Sequence, residues 1–137
     1  PVIVDFLDDL AGGGRVLPKE RAARYAALTL EALADGICDA SLLQVYEVRM
    51  RAENERSASW IAHQSSKVER ALGALEADPP AALTRADQAD VGAVALACAL
   101  GYLDLRFEGA WRAGHPRLVD WLGSFAAAVP AFGATKT

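Results

Sequence analysis

The chain has little with which to hold a metal or run redox chemistry: two histidines and two cysteines. Cys38 and Cys98 lie far apart in apolar stretches with no C-x-x-C spacing, which leaves no disulfide framework and no zinc site. Both read as small buried hydrophobes of a reducing compartment. His63 has Lys67 one turn on and His115 stands before a proline, so neither has a second ligand at metal spacing. No G-x-x-x-x-G-K-[ST], G-x-S-x-G or H-E-x-x-H occurs, and Gly12 to Gly14 lack the preceding strand of a phosphate-binding loop. Strand patterning is missing as well, since no window of alternating β-branched residues is bounded by hairpin turns. Lys and Arg number 14 against 18 Asp and Glu, a net charge of -4 that argues against a nucleic-acid partner. The apolar opening contains Asp5, Asp8 and Asp9 with no basic leader, so no signal peptide is expected.

What the sequence has is helix. Between Asp90 and Asp104 lie 13 residues without a charge. Val91, Val94, Ala95, Cys98, Tyr102 and Leu105 fall at helical spacing, with Leu96, Leu100 and Leu103 on the opposite face. A helix apolar all round has to be surrounded, and this run is too short to cross a bilayer, so residues 87–107 are predicted to be the core helix of a globular domain. Asp87 as N-cap with Asp90 at the third helical position, or Thr84 with Asp87 a turn earlier, would start it, and both acids read as structural caps.

Around that core the periodicity predicts four further helices. Val2, Ile3, Phe6, Leu7 and Leu10 mark a short amphipathic one, halted by the glycine triplet and followed by an extended Leu17-Pro18. A long one runs from Lys19 to about Arg51, where Gly36 allows a bend or close packing and Glu47 and Arg51 pair at i,i+4. Glu31, Asp35 and Asp39 recur every four residues on it, either as a solvated stripe or as a cleft wall or subunit contact. Another spans about Ser57 to Ala77, stopped by Asp78, Pro79 and Pro80. After the turn EGAWRAGHP, Pro116 opens a last helix striped by Leu118, Trp121, Leu122 and Phe125, and GATKT follows as a tail. Trp60, Trp111 and Trp121 read as packing anchors, and Tyr102 as a core residue with its hydroxyl satisfied. Arg106 is expected to pair with Asp104 or Glu108, or to complement the helix terminus. With 137 residues the chain is one all-α helical bundle.

The order LP-x-E-x-x-x-R, LADGICDA, SASWIAHQSSKVERALGALE, VGAVALACALGYLDLRF, WRAGHPRLVDW and PAFGAT resembles the C-terminal helical domain of a bacterial-type cytosolic glutathione S-transferase. The likeness covers nearly the whole chain. Its most specific parts are the buried helix with its D-x-x-D start and the stretch from Trp111 to Thr135. VIVDFLDDLA resembles the last helix of that family's thioredoxin-like domain, so residues 1–18 are expected to be a remnant of that domain and 19–137 the helical domain. The Glu/Asp-Ser pair that binds the γ-glutamyl end of glutathione in the family, the catalytic Ser, Tyr or Cys, the first βαβ unit and the cis-proline have no counterpart in this sequence, which is expected to be truncated.

The resemblance implies that Asp35 and Asp39 face the cleft between domains and that Leu43 and Tyr46 help form the hydrophobic substrate wall. These positions can select a substrate but cannot ionise the glutathione thiol. No catalytic residue, metal or bound cofactor is expected, and this chain alone is expected to be inactive. In a complete protein, glutathione is the co-substrate of a hydrophobic electrophile, the setting cytoplasmic, and the assembly a homo-oligomer, commonly a dimer, without nucleic acid or membrane. The alternative is a non-catalytic interaction module of the same fold. In either case the helix from Val2 to Leu10 should expose apolar surface, which implies self-association.

Overall fold

A computed structural model describes residues 1–135, in which helices and turns but no strands occur. The helices are α1 (Val2–Leu10), α2 (Arg21–Arg49), α3 (Ala58–Ala77), α4 (Val91–Phe107), α5 (Pro116–Ala128) and α6 (Pro130–Ala134). The all-α fold and the long helices agree with the periodicity, and the boundaries are set by caps. Glu20 is the N-cap of α2, its carboxylate accepting from the N–H groups of Ala22 at 3.0 Å and Ala23 at 2.7 Å. Ser57 caps α3, its hydroxyl accepting from the Trp60 N–H at 3.2 Å. Buried Glu47 accepts from the Ser57 N–H at 2.8 Å and pairs with Arg51 at 3.1 Å, which ties the end of α2 to the start of α3.

The core helix starts later than its sequence indicates. Asp90 is the N-cap of α4, accepting from the Ala93 N–H at 2.8 Å. Asp87 is not a cap of this helix. It sits in a 3-10 turn, Ala86–Gln88, and pairs with Arg85 at 3.0 Å. Extended backbone at Ala89 and Asp90 separates that turn from α4, so a carboxylate at Asp87 is cut off from the helix start.

Leu96, Ala97, Ala99 and Leu100 of α4 are wholly buried, against Ala34 and Ile37 of α2, Leu72 of α3, and Leu118 and Phe125 of α5. Each large apolar side chain so buried contributes roughly 1.5–3 kcal/mol. The helix is not apolar and covered all round, however. Val94, Cys98 and Leu105 form an open stripe along it, so Cys98 is exposed and not a buried hydrophobe, while Cys38 is half-buried.

Two aromatic positions also differ from expectation, while Arg106 stands in the last turn of α4, one of the places expected for it. Trp60 is exposed and stacks on His63 at 5.8 Å, so it anchors nothing in the core, whereas Trp111 and Trp121 are buried. Tyr102 is half-buried beneath the Arg106 guanidinium, which lies 5.7 Å from its ring centre. Arg106 finds the ring instead of Asp104 because Asp104 already takes Arg112 in two bonds of 2.8 and 2.6 Å and the Trp111 indole N–H at 2.9 Å.

Helix α5 begins at Pro116, as its sequence indicates, and Glu76 of α3 supplies the cap, accepting from the N–H groups of Arg117 at 2.9 Å and Leu118 at 3.0 Å. Part of the expected tail is helical: α6 brings Phe132 edge-on to Phe125 at 5.5 Å. Lys136 and Thr137 lie outside the described residues.

The crossing of α2 and α4 depends on Gly92. A Cβ there would lie 2.5 Å from the Ala27 carbonyl oxygen and 2.8 Å from the Leu30 Cβ. Gly36, by contrast, has open space around it and packs nothing closely. Helix propensity alone favours Gly→Ala by up to about 1 kcal/mol. Gly73→Ala, with nothing within 4 Å, should realise that gain. Gly92→Ala should instead cost about 1–3 kcal/mol, because backbone has to move. Thermal unfolding of the two variants checks the opposite signs.

Candidate functional site

The sequence marked Asp35, Asp39, Leu43 and Tyr46 on α2, and their spacing places them along one side of that helix. All four are exposed, Leu43 at 41% and Tyr46 at 46%. The side is polar toward the N-terminus of the helix and apolar toward its C-terminus. Leu43 and Tyr46 come together with Glu47, Met50, Ser57 and Trp60 around a recess of about 420 Å³ at the α2–α3 turn. Asp35 and Asp39 do not line it. Glu31, the third acid of the series, is buried and lines a smaller recess with Asp5, Arg24 and Val91, so the three carboxylates are not one solvated stripe.

Asp35 and Asp39 act on a neighbouring thiol. Burial first, and then the charges of Asp35, Cys98 and Asp39, push the Cys38 thiol above its ordinary value, and burial pushes Cys98 up as well. Both are protonated near neutral pH, the opposite of an activated nucleophile. No group of three or more His, Cys, Asp or Glu side chains among the described residues is arranged to hold a metal ion.

A second surface adjoins α2. Helix α1 presents Val2, Ile3, Phe6, Leu7 and Leu10 to solvent, with Ile3 75% and Leu10 68% exposed. Its one buried residue is a carboxylate, Asp8. The oxygens of Asp8 accept from the N–H groups of Gly14 at 2.7 Å, Arg15 at 2.9 Å and Val16 at 2.9 Å. Gly14 takes a positive φ of 82° to complete this cradle. The stretch it holds continues to the core: the Val16 carbonyl accepts from the Val91 N–H at 2.8 Å, and Leu17 packs on Ala27 and Val91. An exposed Arg24–Asp5 ion pair of 3.0 Å adds little by comparison.

Sequence reasoning gave no bonding role to Asp8 or Glu76 and offered Asp104 to Arg106 rather than Arg112. Their partners lie between six and some forty residues away, beyond the reach of helical spacing. The acid before a glycine triplet was the one available signal, for Asp8 alone.

Comparison with known proteins places this geometry. Residues 58–124 match the family described as glutathione S-transferase, C-terminal domain. A glutathione S-transferase-like protein of Escherichia coli (strain K12), YibF, is 31% identical over 120 residues, which are 87% of this chain and 59% of that protein. The crystal structure of a glutathione transferase family member from Pseudomonas fluorescens Pf-5 with bound glutathione is 42% identical and superposes with a TM-score of 0.86 over 98% of this chain and 65% of that one. The structure of a family member from the same strain with S-(propanoic acid)-glutathione has the same identity and TM-score, with 98% of this chain and 68% of that one covered. A glutathione S-transferase from Methylobacterium radiotolerans, in complex with glutathione sulfonate, is 34% identical with a TM-score of 0.84 over 98% of this chain and 64% of that one. The chain thus spans between about three fifths and two thirds of the length of these relatives. No helix among the described residues is long and apolar enough to cross a membrane.

The Asp8 cradle has a pH signature. Amide donors, that of Val16 foremost, hold the carboxyl below its ordinary value, and so its contribution to folding is complete above that ordinary value. It is lost as pH falls through the lowered one. Asp8→Asn removes the charge at every pH and turns an amide N–H₂ toward N–H donors. The variant is expected to release α1 at neutral pH, seen as fast amide exchange at Gly14 to Val16, where the native protein shows it only in acid. Equal exchange in the two proteins at neutral pH would contradict this role.

Proposed function

We propose that this chain, which belongs to the glutathione S-transferase family, forms the hydrophobic-substrate side of a glutathione-conjugating site. The observation that carries the reading is the order along the exposed side of α2: Asp35 and Asp39 first, then Leu43 and Tyr46 at the edge of a recess. An electrophile has an apolar body to be held and a reacting carbon to be presented, while glutathione brings charged ends. A face that changes from acidic to apolar within a few turns suits that pair. Relatives solved with glutathione, its propanoic acid conjugate and its sulfonate support the choice of ligand.

In this reading residues 1–18 are the last helix and linker of a thioredoxin-like unit, and residues 19–137 are the helical domain. The exposed apolar side of α1 is the surface on which the rest of that unit packs. Activation of the glutathione thiol belongs in this reading to the glutathione-binding unit; the Cys38 and Cys98 thiols, both pushed up, are not nucleophiles in its place. The setting is cytoplasmic and the assembly a homodimer.

The test uses the 137-residue chain. Alone it should conjugate glutathione to an aryl halide no faster than buffer. It should nevertheless bind a hydrophobic S-aryl glutathione conjugate weakly, and Leu43→Asp should weaken that binding about tenfold by removing apolar contact. Unchanged affinity in Leu43→Asp, measured by calorimetry, would remove α2 from the substrate wall.

The exposure of α1 also favours a second reading, an interaction module without activity. Under either reading the chain self-associates through this helix. Sedimentation velocity should show association that Phe6→Asp abolishes, and a strict monomer at high concentration would count against it.

A further inference from the structure

A cavity of about 240 Å³ opens between α2, α3, α4 and the 3-10 turn Ala110–Gly114. None of the α2 residues assigned above to the substrate wall lines it. Its walls are apolar and aromatic, with Val68, Leu72, Leu103, Phe107 and Trp111. Its polar groups include one carboxylate, that of Glu69. Glu69 has no hydrogen bond or ion pair among the described residues, and the Ser65 hydroxyl has no partner there either. Gln44 donates one amide N–H to the Ala40 carbonyl at 3.2 Å, which leaves its carbonyl oxygen and its second N–H unused. His115 Nδ1 lies 2.7 Å from the Trp111 carbonyl, an acceptor only, so Nδ1 is the donor of that bond and Nε2 is the nitrogen left for a ligand.

A carboxylate with no ion pair among the described residues therefore stands with polar side chains at an aromatic cavity. No lysine or arginine lines it. Arg112, which covers Trp111 at 5.1 Å, has its charge met by Asp104. The nearby Lys67 ammonium is held by the Gln64 side-chain oxygen at 3.2 Å. An anion would meet the Glu69 carboxylate with no lysine or arginine in the lining to offset the repulsion, and a purely apolar ligand would leave the polar groups unused. A compact cation with an apolar body meets every demand: its N–H groups reach the acceptors, its charge meets Glu69, and its body fills the space beside Phe107 and Trp111.

We propose that this cavity is a binding site for a small free organic ammonium compound, with Glu69 as the counter-charge and Phe107 and Trp111 as the walls that hold its apolar body. Gln44, Ser65 and His115 orient the ammonium group. The site needs no other chain.

The experiment is an ¹⁵N NMR titration of the 137-residue chain with benzylammonium, and in parallel with benzyl alcohol, which has nearly the same shape and no charge. Benzylammonium should give saturable shifts in the millimolar range at Glu69, Leu103, Phe107 and Trp111. Benzyl alcohol should bind about tenfold more weakly, and benzylammonium should lose about the same factor in Glu69→Gln. Glu69 is exposed and makes no structural contact, so the variant keeps the native spectrum elsewhere. Equal affinity for the amine and the alcohol, no loss in Glu69→Gln, shifts confined to Leu43 and Tyr46, or no saturable shifts at all would each overturn the assignment.

Discussion

Burial of α4 is the constraint on which everything else in this structure depends. A helix with no charge between its cap and Asp104 can exist in water only if neighbours cover it. Those neighbours are α2 along its length, α3 and α5 beyond. The crossing is close because Gly92 lets the Ala27 carbonyl and Leu30 approach. Asp90 satisfies the first turn of the buried helix, which otherwise would carry unpaired N–H groups into the interior. The ends of the surrounding helices are then pinned by carboxylates from other elements: Glu47 at the start of α3, Glu76 at the start of α5, Asp104 on the turn after α4.

That arrangement leaves two helix faces uncovered. One is the outer side of α2, which the core does not need because its buried positions, Ala34, Ile37 and Ala40, lie elsewhere on the helix. The other is α1, whose apolar residues face away from the core and whose attachment is one carboxylate in a cradle of backbone amides. A helix held by polar contacts, with its apolar side outward, adds nothing to the apolar core. The open stripe of Val94, Cys98 and Leu105 on α4 is the same phenomenon on a smaller scale.

Helix positions and the family were legible because both rest on local patterns: apolar spacing over two or more turns, prolines and glycines at the ends, and motif order. Pro116 and Ser57 show this well, each starting a helix where its residue type prefers to stand. Local patterns failed where the outcome depends on partners distant in the chain. Asp87 and Asp90 are equally good caps by composition, and only the 3-10 turn at Ala86–Gln88 decides between them. Trp60 and Cys98 look buried by residue type but are exposed. Arg106 had plausible acidic neighbours, yet Arg112 reaches Asp104 first because the left-handed residues Glu108 and Gly109 fold the chain back on itself. The acids along α2 were read as a line, and burial of Glu31 breaks it.

The central claim is that the α4-centred core is complete without α1, so that α1 and the outer side of α2 are working surfaces. Native-state amide hydrogen exchange tests it most directly. The account predicts that the amides of Leu96 to Leu103 exchange only by global unfolding, while those of Phe6 to Leu10 exchange through a local opening of far lower free energy. Amides in α1 as slow as those in α4 would make α1 part of the cooperative core and contradict the account.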